Sequence, residues 1–193
     1  TSSANQKFTA LAGAGTYNLS GSGTATIDGN QTLTGTLNVA QSVTVSGGSN
    51  ALNAGLSTAS AININNGGTI TMALGNDNAF IGQTGRSNTL ALTINAGGTL
   101  TSVSGSTNVF QLYPTTLTLN GGTIAWGGTS SSTWGSWNLG SDITVTDNST
   151  ISANFLTINK SGGIGVNVSS GKTLTISGTI ISQAQASNCS CDS

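Results

Sequence analysis

The sequence predicts an all-β protein, a single-stranded right-handed parallel β-helix (β-solenoid) of about seven coils. Three observations lead there. Aliphatic residues alternate with Thr, Asn or Ser in runs such as "AINI", "TITM" and "TLTIS", the period of two that marks a strand with one buried face. One short phrase recurs, as "NNGGTITM", "NAGGTLTS" and "NGGTIAWG". No convincing 3.6-residue period accompanies it, and the corner signals are too far apart for a sandwich of hairpins, which needs turns every 8–12 residues.

Residues 1–15 ("TSSANQKFTALAGAG") are expected to cap one end, with at most a short turn of helix. Residues 16–181 form the β-helix, and residues 182–193 a tail. Within the helix, "AINI-NNGG-TITM", "ALTI-NAGG-TLTS", "LTL-NGG-TIAW", "ITV-TDNS-TIS" and "VNV-SSGK-TLTIS" each read as strand, corner, strand, and "LNVAQSVTVSGGSNAL" is a looser copy. Equivalent corner positions are placed at Gly23, Gly48, Gly68, Gly98, Gly122, Ser149 and Lys172, at spacings of 25, 20, 30, 24, 27 and 23 residues. A fixed corner at an elastic interval is what coils with loops of different length produce. Stacked coils would line Ile64, Leu92 or Ile94, Leu119, Val145 and Val168 on the strand before the corner. Ile70, Leu100, Ile124, Ile151 and Leu174 follow on the strand after it. Asn65 or Asn66, Asn95 and Asn120 are placed to bond from coil to coil at the bend.

Charged residues make up 5% of the chain and the net charge is −1, against roughly 25% charged in an average globular protein. Roughly two fifths is Thr, Ser and Asn, residues suited to strand surfaces and turns. Four isolated basic residues, Lys7, Arg86, Lys160 and Lys172, make no footprint for nucleic acid. No apolar run approaches the ~20 residues of a membrane helix. The composition, with a start at Thr1, leads to the expectation of a secreted chain, extracellular or on a bacterial cell surface.

The residue inventory points away from an enzyme. There is no His, so Ser–His and Cys–His nucleophiles are out. The acids are Asp28, Asp77, Asp142, Asp147 and Asp192. Asp142 and Asp147 are the closest pair, yet they flank one extended strand and stand ~16 Å apart on it, too far for joint acid–base work on a sugar. Lys160-Ser161 reads as an exposed loop rather than a dyad, and "GNDNAFIG" at Gly75–Gly82 carries one charge, too little for calcium. No cofactor or metal is expected.

Three features are left as candidate surfaces. Thr24, Thr26, Thr69, Thr71, Thr99, Thr101, Thr123, Thr150, Thr173 and Thr175 point outward beside the corners, and their stacking would make a flat, uncharged lattice similar to the Thr arrays of ice-binding β-solenoids. "AWGGTSSSTWGSWNLG" holds Trp126, Trp134 and Trp137, and with Phe110 and Tyr113 from the preceding coil these offer a contact patch for a glycan or partner. Cys189 and Cys191 lie outside the repeats and are candidates for an intermolecular crosslink.

"LTINAGGTLT" and "LTLNGGTIAWGG" resemble the autotransporter-associated β-strand repeats in passenger domains of bacterial autotransporters and related surface adhesins, a likeness that covers roughly residues 16–181. The resemblance implies export and a cell-surface stalk that displays adhesive loops. The expected function is therefore that of a structural or adhesive surface protein, a stalk or a self-assembling filament subunit whose partners are further copies of itself or a glycan. An ice binder using the Thr face, or a carbohydrate-binding adhesin using the Trp-rich loop, is the alternative.

Overall fold

The computed structural model describes residues 4–28, 31–46, 59–73, 90–103, 110–127 and 137–182. Strands make up this part of the chain, with no helix among the described residues. Every strand pairs with its neighbours in parallel. Asn95–Gly121 is an isolated antiparallel bridge. The pairing partners are separated by a lap of chain, as in a solenoid, and a single 15-stranded sheet curls round so that its inner residues meet in one core.

The sheet bends into three walls. On the first, Tyr17 and Leu19 pair with Leu37 and Val39, then with Ile62 and Ile64, Leu92 and Ile94, Leu117 and Leu119, Ile143 and Val145, and finally Val166 and Val168. On the second, Ala25 pairs with Val43, Ile70, Leu100, Ile124, Ile151 and Ile176 in turn. A third wall carries Phe110, Trp137, Leu156 and Ile180 in one column. Burial follows the alternation: Ala61–Ile64 and Thr69–Met72 both read half-buried, buried, half-buried, buried. The inward residues are mostly apolar, with a few buried polar ones such as Ser102, which accepts from the Gly127 N–H, and each aliphatic side chain removed from water contributes ~1.5–3 kcal/mol.

The corner between the first two walls explains the repeated phrase. Gly67, Gly97 and Gly121 have φ of 77°, 74° and 84°, a conformation that favours glycine. The glycine after each has ordinary backbone angles but no room. A Cβ on Gly68 would lie 2.2 Å from the Val39 carbonyl oxygen, and one on Gly98 2.4 Å from that of Ile64. The first glycine turns the chain, and the second lets it press against the rung below. Asn95 donates through Nδ2 to Asn65 Oδ1 at 2.9 Å, and Asn120 likewise to Asn95 at 3.0 Å. The expected ladder is therefore present, with Asn65 rather than Asn66 in it. Thr146 extends it by donating to Asn120. A second ladder, Asn63 to Asn38 to Asn18, runs along the outside of the first wall.

Two expected corners move. The long strand Thr36–Ser46 crosses from the first wall to the second with no glycine turn, and buried Gln41 holds the inner corner position. The equivalent corner is thus Gln41 and not Gly48, which lies outside the described residues. At the other end, Ile176 rather than Leu174 pairs with Ile151, and Leu174 sits opposite Ser149. The chain from Ser169 to Thr173 makes a longer corner than "TDNS" does, which shifts the phase by two. Residues 6–8 pair with Ala25–Ile27 and so continue the second wall.

Gly98→Ala is expected to lower stability to urea by about 1–3 kcal/mol through overpacking. Gly15→Ala, at a position with open space and no positive φ, should change it by less than about 0.5 kcal/mol. Equal effects would contradict the close approach at the corner.

Candidate functional surfaces

The outward residues of the second wall stack as regularly as the inward ones, because both belong to the same strands. One row runs Thr24, Ser42, Thr69, Thr99, Thr123, Thr150, Thr175 without a gap. A second runs Thr26, Thr44, Thr71, Thr101, and the same position then becomes Ala125, Ser152 and Ser177. In a parallel sheet the rungs stand ~4.8 Å apart and the two rows ~6.6 Å apart. None of these side chains is charged. Sequence reasoning missed Ser42 and Thr44 because it placed that corner at Gly48; the unbroken alternation from Leu37 to Val45 was the signal for them. Thr173 does not belong to the lattice. It lies at the shifted corner, where its backbone N–H donates to Asn148 Oδ1.

The aromatic residues form a cluster of a different kind from the expected patch. Phe110 and Trp137 are both 0% exposed, stacked in one column of the third wall, with ring centroids 5.6 Å apart. Trp137 Nε1 donates to the Ala125 carbonyl, and Tyr113 is buried, its ring lying where a Cβ on Gly140 would be and its hydroxyl accepting from Asn159. None of these three offers a ring to a partner. Pairing in the third wall places Phe110 and Trp137 inside the curl, where a large apolar ring is worth most. Trp126 is half-buried, 5.6 Å from Phe110 and 6.2 Å from Trp137. It lines a small groove with Ser152, Ala153, Asn154, Ser177 and Gly178. Trp134, Cys189, Cys191 and the stretch 75–82 lie outside the described residues.

Charges among the described residues keep to the two ends of the stack. Lys7 pairs with Asp28 at 2.8 Å, Lys160 with Asp142 at 2.5 Å and Lys172 with Asp147 at 2.8 Å. Asp142 and Asp147 each face their own lysine rather than each other, so they make no acid–base pair. Asp142 is held below the usual carboxylate range first by the hydrogen bond from Lys160, then by the Gly165 backbone N–H. The Lys172 ammonium does the same for Asp147, helped by the Asn148 N–H. No group of three metal-binding side chains occurs among the described residues, and no helix of the described chain is long and apolar enough to cross a membrane.

The last rung is unlike the others. Val166, Val168 and Ile180 are 46%, 38% and 54% exposed, although they continue the inward columns of the first and third walls. Val166–Val168 pairs only with Ile143–Val145, and Leu174–Ser182 only with Ser149–Ile158, which leaves one edge of each free among the described strands.

No family model, curated protein or solved structure matches the chain.

Because the lowered carboxylates Asp142 and Asp147 bind protons less readily folded than unfolded, they add stability above the ordinary Asp range that is lost as pH falls through their lowered values. The thermal midpoint should hold from neutral pH to about pH 5 and decline below about pH 4. An Asp142→Asn/Asp147→Asn variant should show a shallower decline, and salt should shrink the difference, since these pairs are solvent-accessible. Identical profiles for the two proteins would contradict the assignment.

Proposed function

We propose that the chain is a secreted structural and adhesive element, a stretch of cell-surface stalk or an extracellular filament subunit, built as a right-handed solenoid of about seven coils and acting by contact rather than catalysis. The observation that carries this reading is the open apolar rung formed by Val166, Val168 and Ile180 beside free strand edges. Such an edge is a template for further strands. At the opposite end, Gln6–Phe8 and the first-wall half of Thr16–Asp28 each have one edge free among the described strands. A second copy placed head to tail would therefore extend the first two walls in parallel. A head-to-tail contact of this kind does not close on itself and builds a fibre.

The end charges are compatible with that contact, since each of Lys7, Lys160 and Lys172 is neutralised by an aspartate. Right-handedness rests on the strong bias of crossovers between parallel strands. The number of coils rests on the seven-member columns of the first wall. The likeness of "LTINAGGTLT" to autotransporter passenger repeats supports export and surface display, and Cys189 and Cys191 would serve as a crosslink between copies in an oxidising compartment.

A second reading has its own observation. The ungapped row from Thr24 to Thr175, doubled over four rungs by Thr26, Thr44, Thr71 and Thr101, is a neutral hydroxyl–methyl lattice of the kind that orders water for contact with ice.

For the first reading, electron microscopy of the purified chain at high concentration should show thin fibres. Val166→Lys/Ile180→Lys should abolish them with little change in thermal midpoint, and Cys189→Ser/Cys191→Ser should shorten them. Uniform single particles from the wild-type chain would remove the filament reading. For the second, the wild-type chain should slow ice recrystallisation and Thr71→Tyr/Thr99→Tyr should not. No inhibition by the wild-type chain would remove it.

A further inference from the structure

The two open edges at the start of the chain do not lie level. Each lap passes the first wall and then the second, so the last lap gives Val166–Val168 to one and residues 174–177 to the other. Among the described residues the first wall holds seven strands, from residues 16–20 to Val166–Val168. The second holds eight, because Gln6–Phe8 adds a rung ahead of residues 25–27. A last rung stacked on Gln6–Phe8 would therefore leave Val166–Val168 two rungs, ~9.6 Å, from residues 16–20, too far for a ladder hydrogen bond. Both walls can be met at once only where residues 174–177 lie on residues 24–27, and Gln6–Phe8 occupies that place.

The rung in the way is weakly built. Gln6 stands in an inward column that continues as Ala25, Val43, Ile70, Leu100, Ile124, Ile151 and Ile176, so it sets a carboxamide where every later lap has an apolar side chain. The strand is three residues long and pairs on one side only among the described strands. The ion pair of Lys7 with Asp28 is open to solvent, at 63% and 36% exposure, and such pairs hold little. Asn5 accepts from Thr24 Oγ1 at the surface, and Phe8 is half-buried against the core. The firm anchor comes after the strand: Leu11 is 1% exposed and its N–H donates to Gln31 Oε1 at 2.6 Å.

We propose that Gln6–Phe8 is a displaceable plug over the assembly edge, and that a second copy joins head to tail when its last rung takes the plug's place. In that exchange Ile176 of the incoming copy enters the column at Ala25 in place of Gln6, and Thr175 and Ser177 continue the outer rows at Thr24 and Thr26. Val166 and Val168 meet Tyr17 and Leu19 at the same level, which covers the exposed valines and the half-buried Tyr17. Phe8 is given up in return. One polar side chain leaves the inner column and three aliphatic ones are sheltered, so the exchange favours the joined state, while the plug keeps a lone copy capped on its second wall. This rests on the filament reading above and adds the contact that controls it.

A disulfide across Lys7→Cys/Thr26→Cys tests it, in a Cys189→Ser/Cys191→Ser background. The two positions face each other in the parallel ladder, ~4.8 Å apart and within disulfide reach, so the bond pins the plug. Light scattering and negative-stain microscopy should show single particles for the oxidised protein, and reduction should restore the fibres of the background protein. In the otherwise unchanged chain, Lys7→Glu/Phe8→Ser sets a like charge against Asp28 and removes the ring. It should lower the concentration needed for assembly about tenfold, because the open edge is then populated more often. Fibres from the oxidised protein equal to those from the reduced one, or assembly by Lys7→Glu/Phe8→Ser no better than that of the wild type, would overturn the plug and leave the filament reading standing. Single particles from the background protein in both redox states would remove both.

Discussion

Stacking of Ile62, Leu92 and Leu117 along one wall, and of Ile70, Leu100 and Ile124 along the next, is the contact on which the rest of the molecule depends. Each side chain is 0–1% exposed and stands in register with its counterparts one lap away. Stability therefore accumulates from neighbour to neighbour along the shared core. The period of two then sets the outside. Once Ile70 must sit on Leu100, Thr69 and Thr71 must sit beside Thr99 and Thr101, because a slip of one residue would turn every aliphatic side chain into water. The outer lattice is a consequence of the inner register.

The corner imposes the second constraint, and the chain meets it in more than one way. At Gly67-Gly68 and Gly97-Gly98 it uses one residue for direction and one for clearance. At Ser149 a small side chain replaces the second glycine, and its hydroxyl accepts from the Gly121 N–H and donates to the Asp147 carbonyl. At Gln41 the strand runs through, and both side-chain polar atoms are buried without a partner. An unsatisfied buried amide costs about 1–3 kcal/mol. Gln41 is thus the weakest of the inner corners by this measure, and it lies between rungs that are otherwise aliphatic.

Alternation and the repeated glycine phrase were enough to read the parallel, solenoid-like fold, since both arise from contacts one lap away that every coil repeats. They failed where a coil departs from the repeat. Gly48 was mistaken for a corner because the strand Thr36–Ser46 turns without glycine, and nothing local distinguishes Gln41 in "AQS" from an ordinary strand residue. The phase beyond Ser169 slipped because three residues separate "SSGK" from the inward column at Ile176, against one between "TDNS" and Ile151. Phe110 and Trp137 looked like contact residues from their composition alone. Their place inside depends on a third wall whose short strands, Phe110–Leu112 and Trp137–Leu139, carry too few residues to show a period. The groove at Gly178 was invisible because it depends on Ala153 and Asn154 facing that one residue, a relation between laps.

Charge and surface divide along the same axis. The ion pairs join the first two rungs and the last ones, and each end lysine is neutralised by an aspartate. The described middle of the stack, by contrast, carries no charge. That neutrality suits both outward features. Paired Thr columns persist while the second row stays Thr, from Thr26 to Thr101. Where it gives way to Ala125, Ser152 and Ser177, the lattice narrows to one row and the groove beside Trp126 opens. Loss of methyl groups at one outward position thus ends one surface and begins the other, while Ile124, Ile151 and Ile176 continue the inward column beneath both. A solenoid can change its surface rung by rung in this way because the stacked core constrains only every second residue.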